Sequence, residues 1–252
     1  MLEIVILSII QGVTEFLPVS SSSHLIIISN FSNFQNQGLA IDVSLHIGSF
    51  LAVVVFFKDE IINFIKNKTL FLKIFVASIP VMVLGYTLIK LNLIEYLRNI
   101  KVIGWTTLIF GILLYFSDKC SQQKSLKKDL SFKLIFIVGL IQALSLVPGV
   151  SRSGVTITGA RFLKYNRLDS AKISFLLSIP TLAAVSVFGI RNLITAENFE
   201  VSYVNLLCIF LSFVCSFLTI KFFLYYVQKF SLILFVSYRM ILGVILLAIS
   251  YS

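Results

Sequence analysis

Apolar runs long enough to cross a bilayer recur along the chain. Six of them, roughly 39–57, 70–90, 101–117, 172–190, 203–222 and 231–250, approach the about 20 apolar residues that a helix uses to span hydrocarbon. Two further stretches, 1–30 and 134–163, are apolar but interrupted. Pro18 and a run of serines break the first; Pro148-Gly149 and a polar run break the second. Backbone freed at such a break is tolerated at membrane depth only where it lines a protein cavity. Both stretches are therefore predicted as re-entrant helix-loop-helix hairpins, giving an all-α polytopic membrane protein with six transmembrane helices.

Composition agrees with a single integral membrane domain over 1–252: 58% of residues are hydrophobic and 13% charged. In a soluble protein the net charge of +10 would suggest a nucleic-acid partner, but here the basic residues fall mainly in short loops, and no nucleic acid is expected. Loops 58–69, 118–133, 161–172 and 221–230 hold fourteen of the 21 Lys and Arg, Arg161 among them, whereas the loops near 90–101 and 191–202 hold only Lys90, Arg98, Lys101 and Arg191. The first set is read as cytoplasmic. Six spans then place both termini outside, bring hairpin 1–30 in from the outside and hairpin 134–163 in from the cytoplasm, and make their tips meet. The first Lys or Arg is Lys58, so no basic region of a cleavable signal peptide is expected.

Gln11-Gly-Val-Thr-Glu-Phe-Leu-Pro-Val-Ser-Ser-Ser and Gln142-Ala-Leu-Ser-Leu-Val-Pro-Gly-Val-Ser-Arg-Ser align at an offset of 131, sharing Gln, Val-Ser and the final Ser. Ser78-Ile-Pro80 and Ser178-Ile-Pro180 recur at an offset of 100. The matching order of elements predicts an inverted-topology repeat, halves about 1–118 and 131–252, with a site where the broken helices face each other. Of the three cysteines, Cys208 and Cys215 lie about 10 Å apart along one helix axis, too far for a disulfide within it. Cys120 sits in a lysine-rich loop, and no spacing suggests a metal cluster.

The candidate chemistry lies in the two breaks. Gln11 and Glu15, four apart, share a helix face, and Ser20, Ser21, Ser22, Ser23 and His24 follow within ten residues of Glu15. The second break supplies Ser151, Arg152, Ser153, Thr156 and Thr158, with Gly149 and Gly154 allowing close backbone approach. An arginine at mid-bilayer costs roughly 2.5–3.5 kcal/mol on the mildest insertion scale, and an anionic substrate group would offset that. Arg152 suits bidentate grip of phosphate oxygens, and helix restarts after Pro18 and Pro148 would aim backbone N–H groups at the same place. Glu15, with Gln11 as a neutral oxygen ligand, could hold Mg²⁺ or Ca²⁺. His24 could accept a proton from a serine or a water. Serine and glycine in membrane helices commonly serve close packing. His46 is read as a structural histidine, Arg239 receives no role, and Tyr and Phe elsewhere are read as lipid-facing or interfacial.

Gln11-x-x-x-Glu15-Phe-Leu-Pro-Val-Ser-Ser and Pro148-Gly-Val-Ser-Arg-Ser-Gly-Val-Thr156 resemble the two signature regions of the bacterial undecaprenyl-diphosphatase, or bacitracin-resistance, family, and the resemblance runs the length of the chain. It implies hydrolysis of undecaprenyl diphosphate to undecaprenyl phosphate at the outer face of the inner membrane, dependence on a divalent cation, and recycling of the lipid carrier of cell-wall synthesis. Carried over by position, the acidic motif falls on Gln11 and Glu15, the serine and histidine on Ser21 and His24, and the arginine motif on Ser151, Arg152, Ser153 and Thr156. The first acidic position is Gln here, which weakens any mechanism needing two carboxylates on the metal. The expected partners are a polyprenyl diphosphate lipid and the bilayer, with a homodimer left open. An inverted repeat is also a transporter signature, so the competing reading is a translocator of polyprenyl phosphate or another anion. The membrane phosphatase class that works through a phosphohistidine is set aside, because no histidine follows Ser151-Arg152.

Overall fold

The structure, a computed structural model, describes residues 1–31, 38–66, 68–195 and 202–251. The outer loop expected near 191–202 falls outside these for residues 196–201. Among the described residues the only strand-like pairing is one isolated bridge between Lys124 and Tyr165; the rest of the regular structure is helical. The first broken stretch forms α1 (Leu2–Thr14) and α2 (Ser21–Phe31). It is followed by α3 (Leu39–Phe56), the short α4 (Lys58–Lys66), α5 (Lys68–Lys90), one turn of α6 (Ile94–Leu97) and α7 (Ile100–Asp118). The turn α8 (Leu126–Asp129) leads into the second broken stretch, α9 (Phe132–Gln142) and α10 (Arg152–Phe162). Three long helices close the chain: α11 (Arg167–Thr195), α12 (Tyr203–Lys229) and α13 (Ile233–Tyr251).

The helices α3, α5, α7, α11, α12 and α13 are long and apolar enough to cross a membrane, and they coincide with the six predicted spans. Large apolar side chains such as Phe71, Leu84, Trp105, Ile112, Phe210, Leu218, Phe222 and Ile241 remain exposed on their outer faces, an amount of uncovered hydrocarbon that suits lipid rather than water. Between helices the ties are short and polar. Ser212 Oγ donates to the Leu45 carbonyl at 2.7 Å, and Ser216 Oγ donates to Ser49 Oγ at 2.9 Å, fastening α12 to α3. Small hydroxyl residues let membrane helices approach closely and add bonds where apolar burial alone gives no preference over lipid. Pro80 and Pro180 lie inside helices that continue past them; Ser78 and Ser178 return their hydroxyls to the Ile74 and Phe175 carbonyls of their own helices.

The basic loops gather at one end of the bundle. Asp118, the last residue of α7, takes Arg167 through both carboxylate oxygens at 2.6 and 3.0 Å and accepts the Leu232 backbone N–H before α13 at 3.0 Å. Tyr165 Oη donates to the Asp129 carbonyl, Lys73 Nζ donates to the Leu130 carbonyl, and Glu60, Lys172 and Lys221 line one cleft. Arg161, counted above as a loop charge, is instead fully buried. Its guanidinium donates to the carbonyls of Asp118, Cys120 and Tyr165, supplying donors to the open carbonyls at the end of α7 and in the turn after α10. Both ends of the second broken stretch therefore lie at the basic end, as a hairpin returning to its side of entry requires. In each half the packing corresponds: α12 lies along α1 and α3, and α5 lies along α9 and α11.

The three cysteines are free, and Cys120 sits in the basic loop region. In a Cys208→Ser, Cys215→Ser background, a membrane-impermeant maleimide should label Cys120 in inverted vesicles and not in intact spheroplasts. Labelling from outside only would reverse the orientation argued from the loop charges.

Candidate functional site

Each break is built by a serine with an unusual backbone. Ser20, just before α2, has φ 74°, and Ser151, just before α10, has φ 70°. The two serines are equivalent in the offset of 131. Positive φ in a non-glycine residue costs on the order of 1 kcal/mol or more and persists where surrounding structure enforces it, commonly at functional sites. Before Ser151 the chain also passes through Gly149 at φ +91°, where an added Cβ would lie 2.0 Å from Thr106 Oγ1 and 2.7 Å from the Ile103 carbonyl. Only glycine fits there. Thr106 Oγ1 in turn donates to the Pro148 carbonyl at 2.7 Å, tying the second break to α7. The first break is tied to the core by Phe16, fully buried, whose ring meets Phe175 edge-on at 5.3 Å.

The turns bring Glu15 and Arg152 together across 137 residues. Arg152 Nη2 donates to Glu15 Oε1 at 2.7 Å. The other carboxylate oxygen, Oε2, accepts from Ser21 Oγ at 2.6 Å and from Gln11 Nε2 at 3.0 Å. The buried carboxylate is compensated by the Arg152 guanidinium and by the Ser21 and Gln11 donors on its other oxygen. Two groups in this cluster lack partners although buried: Arg152 Nη1 and Gln11 Oε1. The Gln11 amide is oriented by its neighbour, since only its nitrogen can donate to the carboxylate.

The other predicted residues are placed differently. Ser151 caps α10, its hydroxyl accepting from the Gly154 N–H at 3.1 Å. Ser153 Oγ crosses to the Leu17 carbonyl at 2.7 Å and so joins the two breaks. Thr156 Oγ1 lies against the Arg152 carbonyl and, at 2.6 Å, Ser174 Oγ on α11. These three hydroxyls are engaged within the protein, whereas Arg152 keeps a free arm. His24 sits beside Ser20, Nδ1 to carbonyl, at 2.7 Å. His46 donates from Nδ1 to the Asp42 carbonyl one turn earlier on α3 at 2.8 Å, as a structural histidine does.

One reading made from the sequence needs correcting and another needs extending. Arg239, left without a role, is fully buried and reaches both breaks. Its Nη1 donates to the Pro18 and Val150 carbonyls at 3.2 and 3.1 Å, Nη2 to the Gly149 carbonyl at 2.9 Å, and Nε to the Thr107 carbonyl at 3.2 Å. Gly154 leaves it room: a Cβ there would come within 3.1 Å of Nη1. Tyr238, read as lipid-facing or interfacial, is exposed and also meets His24 Nε2 through its hydroxyl. The partners carry no local signature, being backbone carbonyls for Arg239 and, for Tyr238, a histidine more than 200 positions away. An arginine within an apolar helix was the one available signal.

The family model for the bacitracin resistance protein BacA matches residues 4–245. The chain is 49% identical over its full length to the undecaprenyl-diphosphatase of Pelagibacter ubique, covering 98% of that protein. It is 40% identical to the undecaprenyl-diphosphatase of Campylobacter curvus and 38% to that of a Jannaschia species, in each case over 98% of this chain and 97% of the relative.

Arg239→Met keeps the bulk and removes the donors, leaving four buried carbonyls short of partners at about 1–3 kcal/mol each. The thermal unfolding midpoint in detergent should fall by several degrees, and Arg239→Lys should not restore it, since an ammonium cannot present a planar fork to four carbonyls. A Met variant as stable as the wild type would contradict this role.

Proposed function

The chain belongs to the bacitracin resistance protein BacA family, and from that premise we propose how its site works. The protein is an undecaprenyl-diphosphate phosphatase: it hydrolyses undecaprenyl diphosphate to undecaprenyl phosphate and inorganic phosphate, renewing the lipid carrier of cell-wall synthesis and giving bacitracin resistance. It is a multi-pass membrane protein. We place it in the bacterial inner membrane with its site open to the periplasmic face, and we read halves 1–118 and 131–252 as an inverted-topology repeat, supported by the equivalent positive-φ serines and the corresponding packing.

The half-used guanidinium of Arg152 carries this reading. One arm holds Glu15; the other is buried without a partner and suits an incoming phosphate oxygen, which would satisfy it with a charge-assisted bond. The starts of α2 and α10 present backbone N–H groups nearby. Ser21, whose hydroxyl is oriented by Glu15, attacks the terminal phosphorus. The P–O bond to the bridging oxygen breaks, undecaprenyl phosphate leaves with that oxygen, and His24 Nε2 receives the serine proton. Water then attacks the phosphoserine, releasing inorganic phosphate and restoring Ser21. Positioning and neutralisation of charge supply most of the acceleration in such a transfer.

For a divalent cation the residues fit in part. Among the described residues no cluster of three or more His, Cys, Asp or Glu could hold a metal, but Glu15 offers a carboxylate and Gln11 a buried oxygen without a partner. Mg²⁺ or Ca²⁺ needs little more from protein when water and substrate phosphate complete its shell. Glu15 and Gln11 would hold it, the first through its carboxylate and the second through the amide oxygen that has no partner. When bound, the cation neutralises phosphate charge.

Purified protein in detergent should release inorganic phosphate from undecaprenyl diphosphate, and EDTA should stop it. No release from folded protein would favour the translocator instead. Gln11→Glu should keep activity and lower the cation concentration needed for half-maximal rate; complete inactivation would mean that the amide has a different task.

A further inference from the structure

Tyr238 is the residue before Arg239 on α13, and the hydrolysis scheme above does not use it. Its ring stacks on the His24 imidazole with centroids 5.7 Å apart and an angle of 11° between planes, and its hydroxyl meets Nε2. The other ring nitrogen, Nδ1, lies 2.7 Å from the Ser20 carbonyl oxygen. A carbonyl only accepts, so Nδ1 carries a proton; in the neutral ring Nε2 is then the nitrogen with the free lone pair, and the tyrosine hydroxyl donates to it. The Tyr238 side chain is exposed, but both neighbours belong to backbone that is held. The Ser20 carbonyl belongs to the positive-φ residue of the first break. Tyr238 rides on the helix that Arg239 pins to both breaks by four carbonyl bonds.

We propose that Tyr238 is a positioning residue for the hydrolysis, holding His24 as the Nδ1–H tautomer with Nε2 as the proton acceptor. This rests on the reading of His24 as the group that takes the serine proton. A phenol both donates and accepts. Nε2 has one lone pair, so the tyrosine hydroxyl turns its hydrogen away as the serine proton arrives, and its oxygen then accepts from the protonated Nε2. The contact therefore survives both protonation states, and the ring does not swing as the proton arrives and leaves. Phenylalanine would keep the stack and lose this bond.

The chain has two histidines, so ¹⁵N-histidine-labelled protein gives two imidazoles, and His46→Gln assigns them. In the resting wild type His24 should carry its proton on Nδ1, with Nε2 showing the shift of a hydrogen-bonded acceptor. In Tyr238→Phe the Nε2 resonance should move toward that of an unbonded nitrogen, while His46 stays in place as a check on folding. With undecaprenyl diphosphate, Tyr238→Phe should lower kcat about tenfold to a hundredfold, part of what a general base contributes, and change KM by less than about twofold. In a His24→Gln background the same substitution should have almost no further effect, because the tyrosine acts through the histidine. A proton on Nε2 of resting His24, an unchanged kcat in Tyr238→Phe, or losses that multiply in the double variant would overturn the proposal. Absence of phosphate release from the wild type would count against the hydrolysis itself, whereas the tautomer is read without turnover.

Discussion

The structure depends on keeping two positive charges and one negative charge at the junction of two broken helices, away from water. Burial of an ion costs several kcal/mol unless it is paired and hydrogen-bonded, and each charge meets that condition differently. Glu15 is saturated by Arg152, Ser21 and Gln11. Arg239 has four carbonyls and no carboxylate, which holds the backbone of both breaks and leaves its charge unneutralised beside the site. Arg152 alone is incompletely satisfied. The cluster thus carries excess positive charge and an open donor, which is what an anionic phosphate would complete.

The same accounting explains why the breaks exist. An unbroken α1–α2 or α9–α10 would satisfy its own backbone and have nothing to offer a ligand. Interrupting each helix frees carbonyls for Arg239 and Ser153 to bind and N–H groups for a substrate. The unusual φ values of Ser20, Gly149 and Ser151 are the conformational cost of that interruption. Phe16 in the aromatic core and Thr106 on α7 hold the two turns in position. A translocator would also use broken helices meeting at mid-membrane. What favours hydrolysis is Ser21, whose hydroxyl is committed to an ionised carboxylate one side chain away from the free guanidinium.

Much of this was legible in the sequence because membrane helices obey simple rules. Runs of apolar residues marked the six spans, Pro18 and Pro148-Gly149 marked the breaks, and Glu15 and Arg152 stood out as charges that need a reason to be buried. Their meeting agrees with tips expected to face each other, whereas the ion pair itself was not assigned from the sequence. The less legible part involves partners without a sequence signature. Arg239 binds carbonyls, which every residue has, and Arg161 looked like an ordinary loop charge until its own turn enclosed it. Tyr238 resembled any interfacial tyrosine. Ser151, Ser153 and Thr156 were grouped with the ligand by proximity to Arg152, and a one-dimensional pattern could not separate a capping hydroxyl from one facing the substrate.

The free arm of Arg152 is the central claim, and the most direct measurement is phosphate release from undecaprenyl diphosphate by Arg152→Ala set against the wild type at matched folding. The account predicts a loss of at least about a thousandfold in kcat/KM, the scale of removing a principal charge stabiliser of the transition state. A rate near that of the wild type from the folded variant would contradict it.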